Sequence, residues 1–73
     1  MTARTFSPDV LRARRREMAQ CSRHSLAAVT GVHVNTIANW ERGATVPDAN
    51  DIARLAAALD RPMDYFYRAG DTT

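Results

Sequence analysis

Apolar residues recur along this chain at helical spacing, and the residues between them supply signals for helix starts and stops. The pattern predicts five helices, over residues 8–19, 23–30, 34–42, 49–59 and 62–67. It contains no sustained alternation of apolar and polar residues and no Asn-Gly or Asp-Gly hairpin pair, so no strand is expected. We therefore predict an all-α fold.

Four residues are predicted N-caps: Ser7, Ser22, His33 and Asp48. Each follows an apolar residue and has another apolar residue four positions into its helix, which is the spacing of a hydrophobic staple. His33 is the weakest of the four, because histidine is a poorer cap than serine or threonine. The apolar pairs are Phe6 with Leu11, Cys21 with Leu26, Val32 with Ile37, and Pro47 with Ile52.

The helix stops agree with these starts. Gly31 and Gly43 each follow a helical stretch, where a left-handed residue is easiest for glycine. Pro47 separates helices three and four, and the sequence from Asp60 to Pro62 ends helix four. We predict one domain over residues 7–67, between an N-terminal arm, 1–6, and a frayed C-terminal tail, 68–73.

Helices four and five are expected to supply much of the core. The stripe on helix four consists of Ile52, Leu55, Ala56 and Leu59. In helix five, Met63 and Phe66 should close the core. Tyr65 and Tyr67 cannot both point inward, so one of them is a candidate dimer contact.

Length and composition narrow the function. A chain of 73 residues has room for one domain, without a large catalytic cleft or a second, ligand-sensing domain. It has no apolar run long enough to span a membrane and no evident secretory signal, so we expect a cytoplasmic protein. Its single cysteine excludes an internal disulfide and leaves too few thiolates for a structural zinc site.

Charge is unevenly distributed along the chain. All ten basic residues are arginine. Residues 1–42 hold seven arginines and three acids, a net charge of +4, whereas residues 43–73 hold three arginines and five acids, a net charge of −2. A basic first half suggests a face that meets a polyanion, although scattered solvated charge would give the same count.

The segment from residue 23 to residue 42 has the spacing of a helix-turn-helix. Such a motif needs a small residue where the two helices cross, a turn residue that tolerates positive φ, and apolar anchors on the second helix. Ala27 and Gly31 meet the first two needs, and Ile37 with Trp40, three positions apart, meet the third.

With these residues the sequence resembles the phage-repressor and Cro-type helix-turn-helix family over about residues 10–67. The resemblance implies a compact five-helix, lambda-repressor-like DNA-binding domain whose helices two and three form the motif and whose third helix reads bases. The residues that carry it are Leu26-Ala27, Gly31-Val32, Thr36-Ile37, Trp40 to Gly43, Pro47, Leu55-Ala56, Leu59 and Met63 to Phe66.

Periodicity independently gives the outward face of the third helix. If Ile37 and Trp40 point inward, then Val34, Asn35 and Asn39 point outward, together with Ala38 and Arg42. Asparagine can pair with adenine through two hydrogen bonds, and valine can pack on a thymine methyl group. We expect Val34, Asn35 and Asn39 to contact bases. Alternatively, Asn35 is a late N-cap, Asn39 is merely exposed, or Val34 is buried.

A second set of residues is expected to contact the DNA backbone. Arg23 occupies the first position of helix two, where the family often has glutamine at the backbone, and Thr36 and Arg42 suit phosphate contacts. Some of the arginines in helix one could instead form a solvated face. The full set is Arg14, Arg15, Arg16, Ser22, Arg23, Thr36, Arg42 and Thr45.

Glu41 resembles the acid that pairs, in this family, with an arginine of helix one. Counting from Leu11 makes Arg15 the partner, whereas counting back from Ser22 makes it Arg16, which we slightly prefer. This role is structural. We count Glu41 with Ala27, Gly31, Ile37, Trp40 and Gly43 as residues that hold the motif together.

Other functions have less support. No nucleophile and base stand at a recognisable catalytic spacing, so no enzyme activity is expected. A metal site of Cys21, His24 and His33 lacks identifiable supporting residues, and we expect no metal, cofactor or small-molecule ligand. An antitoxin with a toxin partner, or an adaptor that binds proteins, remains the alternative.

The expected mechanism is that of a transcriptional regulator. Two copies would bind double-stranded DNA at a short palindromic site, with recognition helices in major grooves one turn apart. Because a dimer bound near a promoter would block polymerase, we expect a repressor rather than an activator. The family resemblance implies regulation of a phage, prophage or mobile element.

Overall fold

A computed structural model describes residues 4–18 and 21–69 of the chain. Four α-helices are followed by a short 3₁₀ helix, and a strand stands at each end of the described chain. The elements are β1 (Arg4–Phe6), α1 (Pro8–Glu17), α2 (Arg23–Thr30), α3 (Val34–Arg42), α4 (Ala49–Leu59), the 3₁₀ helix (Met63–Phe66) and β2 (Tyr67–Ala69).

The helical part largely follows the prediction. The bounds of α2, α3 and α4 are those predicted from the sequence. α1 ends earlier, at Glu17, because Met18 has extended backbone geometry, and the predicted helical residue 19 lies outside the described residues. The five-helix count is not confirmed, because the fifth element is a 3₁₀ helix of four residues.

All four predicted N-caps are confirmed. The side chains of Ser7, Ser22, His33 and Asp48 each accept a hydrogen bond from a backbone N–H in the first turn of the helix that follows. Asp48 also forms a capping box, because the carboxylate of Asp51 accepts from its backbone N–H. The helix starts are therefore set by residues adjacent in sequence.

The predicted helix stops are also present. Gly31 (φ 76°) and Gly43 (φ 78°) lie in the left-handed region at the ends of α2 and α3. The N–H of Gly31 donates to the carbonyl of Ala27 at 2.9 Å and closes the last turn of α2. Ala27 itself is half-buried against the core, as expected at the crossing of the two motif helices.

The prediction that the chain contains no strand is wrong. β1 and β2 form an antiparallel pair in which Phe6 lies opposite Tyr67. Arg68 and Ala69 are therefore part of a strand rather than a frayed tail, while residues 70–73 of the predicted tail lie outside the described residues. Strands of three residues are too short to show an alternation of apolar and polar side chains in the sequence. The packing of α1 against the 3₁₀ helix brings the two strands together.

The core lies between the four α-helices and the 3₁₀ helix. The predicted stripe of α4 is buried, and Phe66 is fully buried, as expected. Met63 is 38% exposed, so the prediction that it closes the core is wrong. It stands at the first position of the 3₁₀ helix, on the rim of the core beside Ala56 and Pro62. Tyr65 is exposed while Tyr67 is half-buried, as expected for a pair that cannot both point inward.

Helix α3 is held from two sides. α1 and α2 both pack against it, and α2 also packs against α4. Ile37 and Trp40 are buried with Leu11 and Leu26 in this core. The packing fixes α3 through one face and leaves the opposite face to the solvent.

Candidate nucleic-acid interface

The solvent-facing side of α3 carries the residues predicted to lie there. Asn35 and Arg42 are exposed, and Val34 and Asn39 are half-buried, whereas Ile37 and Trp40 point into the core. The predicted orientation of the helix is thus confirmed. The alternative in which Val34 is buried does not hold, because Val34 is partly exposed, whereas a base-reading role for Asn39 stays a prediction.

Asn35 does not cap α3. His33 is the N-cap, and its Nδ1 accepts a hydrogen bond from the backbone N–H of Asn35 at 3.0 Å. The ring therefore carries its proton on Nε2, a tautomer assigned from this hydrogen bond. The carboxamide of Asn35 makes no hydrogen bond to another described residue, so its donors and its acceptor face solvent.

One shallow groove joins the outer face of α3 to the start of α2. It is lined by Arg23, Asn35, Ala38, Asn39 and Arg42. Two carboxamides and two guanidinium groups therefore share one surface, which offers many hydrogen-bond donors and positive charge.

Two of the groove residues contact each other. Nη2 of Arg42 donates a hydrogen bond to Oδ1 of Asn39, one helical turn earlier. The carboxamide of Asn39 is thus oriented with its oxygen towards Arg42, and its nitrogen retains two donors.

Beneath the groove lies a buried carboxylate surrounded by arginines. The side chain of Glu41 is 1% exposed and accepts from Nε and Nη2 of Arg15 at 2.6 and 3.1 Å. It also accepts from Nε of Arg23 at 3.0 Å, and Nη1 of Arg12 donates to its backbone carbonyl at 3.3 Å. The cluster joins α1, α2 and α3.

The predicted pairing of Glu41 with an arginine of helix one is confirmed, but the preference for Arg16 over Arg15 is wrong. Arg15 lies one turn after Leu11 and shares its inward face. Arg16 is one residue further along, about 100° around the helix, and it is exposed.

The cluster keeps Glu41 ionised. Burial by itself would raise the pKa of Glu41, but hydrogen bonds from Arg15 and Arg23 outweigh it and hold the pKa below its ordinary value of 4.5. The hydrogen bond with Glu41 raises the pKa of Arg15 despite the opposing effect of its burial. The lowered pKa of Glu41 and the raised pKa of Arg15 both favour the charged forms of the two side chains.

Comparison with known proteins identifies the arrangement. The sequence profile of a family described as helix-turn-helix matches residues 11–66. The chain belongs to this family, of the Cro and C1 type.

The fold of the chain is also similar to that of a solved DNA-binding protein. The chain is similar to the P22 c2 repressor protein, solved in complex with a synthetic operator, with 30% sequence identity and a TM-score of 0.75. The match covers 81% of this chain and 88% of the repressor chain. A search of curated protein sequences gives no match. The fold is therefore that of a repressor-like helix-turn-helix domain.

Two of the arginines predicted to contact the DNA backbone, Arg14 and Arg15, do not line the groove. Arg15 is buried with Glu41, so it has no free face for a phosphate. Nε of Arg14 donates to the carbonyl of Leu59 at 2.9 Å, at the end of α4, and its side chain is 12% exposed. We withdraw both residues from the set of candidate contacts.

The remaining candidates are accessible to different degrees. Arg23 uses Nε for Glu41, yet its side chain stays 42% exposed. Thr36 is half-buried in the first turn of α3. The exposed members of the set are Arg16, Ser22, Arg42 and Thr45.

Arg12, which is missing from the sequence-based set, lies next to the last turn of α3. It contacts the last turn of α3 through the carbonyl of Glu41 and pairs with Asp9 at 2.8 Å. Arg16 lies four residues later on the same face of α1. That four-residue spacing between two arginines was the signal in the sequence that could have identified Arg12.

Neither a metal-binding cluster nor a membrane-spanning helix is present in the described ranges, 4–18 and 21–69. No group of three or more histidine, cysteine, aspartate or glutamate side chains there is placed to hold a metal ion, so Cys21, His24 and His33 form no such group. No helix in the same ranges is long and apolar enough to cross a membrane.

Proposed function

We propose that this protein is a sequence-specific DNA-binding regulator that inserts α3 into the major groove. The observation that carries the proposal is the division of α3 into two faces. Ile37 and Trp40 fix one face in the core, while the other presents Asn35, Asn39 and Arg42 in a groove shared with Arg23. A major groove about 12 Å wide admits one such helix, and asparagine side chains can read base edges there.

The base contacts proposed are those of Val34, Asn35 and Asn39. The free carboxamide of Asn35 can accept from N6 and donate to N7 of adenine. Val34, half-buried at the start of the helix, can pack on a thymine methyl group. Both residues lie in the first turn of α3, the end of a recognition helix that contacts bases.

The backbone contacts proposed are grouped around α3. Arg23 and Ser22 stand at the start of α2, and Thr36, Arg42 and Thr45 lie along α3 and the loop after it. Arg12 and Arg16 would extend this surface along α1. Such contacts fix the orientation of a protein on the duplex without reading its sequence.

We further propose that two copies bind an inverted repeat, with half-sites one helical turn, about 34 Å, apart. The repressor solved in complex with a synthetic operator supports this class of regulator. Repression is favoured because a dimer bound near a promoter would exclude polymerase. The phage or mobile-element context is part of the same proposal, and exposed Tyr65 is a candidate dimer contact.

Selection of bound sites from random duplex DNA by the purified chain tests this proposal. We expect enrichment of an inverted repeat whose half-site centres are about 10 base pairs apart. Enrichment of a single half-site would keep the DNA-reading function and overturn the dimer. Absence of any enriched sequence would overturn the proposed function and favour an adaptor that binds a protein.

A further inference from the structure

We infer that Arg42 determines which base Asn39 reads, and that the two side chains together select guanine. The inference rests on the proposed function, because it names the base recognised at one position of that site. It differs from the expectation drawn from the sequence, in which Asn39 reads adenine, and it gives Arg42 a part in base readout instead of a contact with the DNA backbone alone.

A hydrogen bond joins the two side chains. Arg42 and Asn39 lie three residues apart on the outer face of α3 and line the same groove. Nη2 of Arg42 donates to Oδ1 of Asn39, which is the only acceptor of that carboxamide. Besides the second lone pair of Oδ1, which lies next to the guanidinium group, the pair offers a ligand the two N–H donors of Asn39 and the remaining N–H donors of Arg42.

A surface of donors fits guanine better than adenine. In the major groove guanine presents two acceptors, N7 and O6, whereas adenine presents the acceptor N7 beside the donor N6. Reading adenine would require Oδ1 of Asn39 to accept from N6 next to a guanidinium group. The positive charge of Arg42 opposes the approach of a second donor to that oxygen, and its charge-assisted hydrogen bond is the stronger competitor.

Asn35 provides an internal comparison on the same helix. Its carboxamide has no hydrogen-bonding partner among the described residues, so it keeps both an acceptor and its donors. It therefore retains the capacity to pair with adenine. Two asparagines one turn apart would thus read different bases because only one of them is held by an arginine.

The test uses the duplex enriched by the wild-type chain. Asn39→Ala first identifies the base pair at which preference is lost. Affinities are then measured for four duplexes that differ only at this pair, with the wild-type chain, Arg42→Met, Arg42→Lys and Arg54→Met. Arg54→Met is a matched control, because Arg54 is exposed on α4 outside the groove and its loss removes the same charge.

We expect the wild-type chain to prefer guanine over adenine at this pair by about tenfold or more. Arg42→Met should reverse the preference towards adenine, because the carboxamide oxygen is released. Arg42→Lys, which keeps a cationic donor, should retain guanine, and Arg54→Met should match the wild type. The ratio of two affinities from one preparation does not depend on the fraction of folded protein.

Three results would overturn the inference while leaving the proposed function intact. They are a wild-type preference for adenine at this pair, an unchanged guanine preference in Arg42→Met, and the failure of Asn39→Ala to change preference at any pair. If the wild-type chain instead enriches no sequence, the proposed function fails, and the inference fails with it.

Discussion

Glu41 accepts two hydrogen bonds from Arg15, at 2.6 and 3.1 Å, across a separation of 26 residues. The pair ties α1 to the last turn of α3. Arg23 adds a third hydrogen bond to the same carboxylate from the first position of α2. The groove surface above is therefore built on a buried ionic cluster.

Replacement of Arg15 should destabilise the fold strongly. Arg15→Met leaves Glu41 buried with one of its two charged partners, and loss of one partner of a buried pair costs about 3–5 kcal/mol. We expect a loss of about 3 kcal/mol, at the lower end of that range, because Arg23 still pairs with Glu41. Urea unfolding of the two proteins measures the difference.

Arg16→Met is the matched control for this experiment. Arg16 is the exposed neighbour of Arg15, so its replacement should change the free energy of unfolding by no more than about 0.5 kcal/mol. Equal effects of the two substitutions would mean that the buried pair does not support the fold as described.

Glu41 should also make the fold sensitive to acid. Its pKa is below 4.5 in the folded protein and takes the ordinary value in the unfolded chain, so the unfolded chain binds more protons between the two values. The stabilisation is complete above about pH 4.5 and is lost as the pH falls through the folded pKa.

Glu41→Gln isolates this effect from the other carboxylates. Free energies of unfolding are measured for the wild-type chain and the variant at pH 7 and at several values below pH 4.5. The gap between the two proteins should narrow as the pH falls. A gap that stays constant across this range would contradict the assigned role of Glu41.

Arg23 should contribute to DNA affinity without contributing to sequence preference. Nε is engaged by Glu41, which holds the rest of the guanidinium at the edge of the groove. Arg23→Ala should weaken binding to all duplexes alike and lower the salt slope by about one. The measurement is affinity against salt concentration, on the enriched and a scrambled duplex.

Arg54→Ala removes the same charge from an exposed position outside the groove and should leave the slope unchanged. If Arg23→Ala also leaves it unchanged, Arg23 touches no phosphate.

The sequence predicted the features of this fold that depend on neighbouring residues. Ser7, Ser22 and Asp48 cap helices through hydrogen bonds within the following turn, and Gly31 and Gly43 adopt the left-handed conformation that ends them. These signals lie within a few positions of the structure they determine, so a pattern along the chain is sufficient to identify them.

The sequence was less informative where distant segments meet. The strands form because the two ends of the domain lie side by side, with the N–H of Ser7 donating to the carbonyl of Phe66 at 2.9 Å. The choice between Arg15 and Arg16 depended on the rotation of α1 against α3, because the count from Leu11 and the count back from Ser22 gave different answers. The contact of Arg14 with the carbonyl of Leu59 likewise joins segments that lie far apart in the sequence.

The central claim is that the outer face of α3 reads bases, and the double variant Asn35→Ala/Asn39→Ala tests it most directly. Its affinities for the enriched duplex and for a scrambled duplex of equal length are measured at one salt concentration. Each asparagine contact should be worth about 1–3 kcal/mol, so affinity for the enriched duplex should fall by about 2–6 kcal/mol while affinity for the scrambled duplex is retained. Equal losses on both duplexes, or no loss on either, would contradict the account.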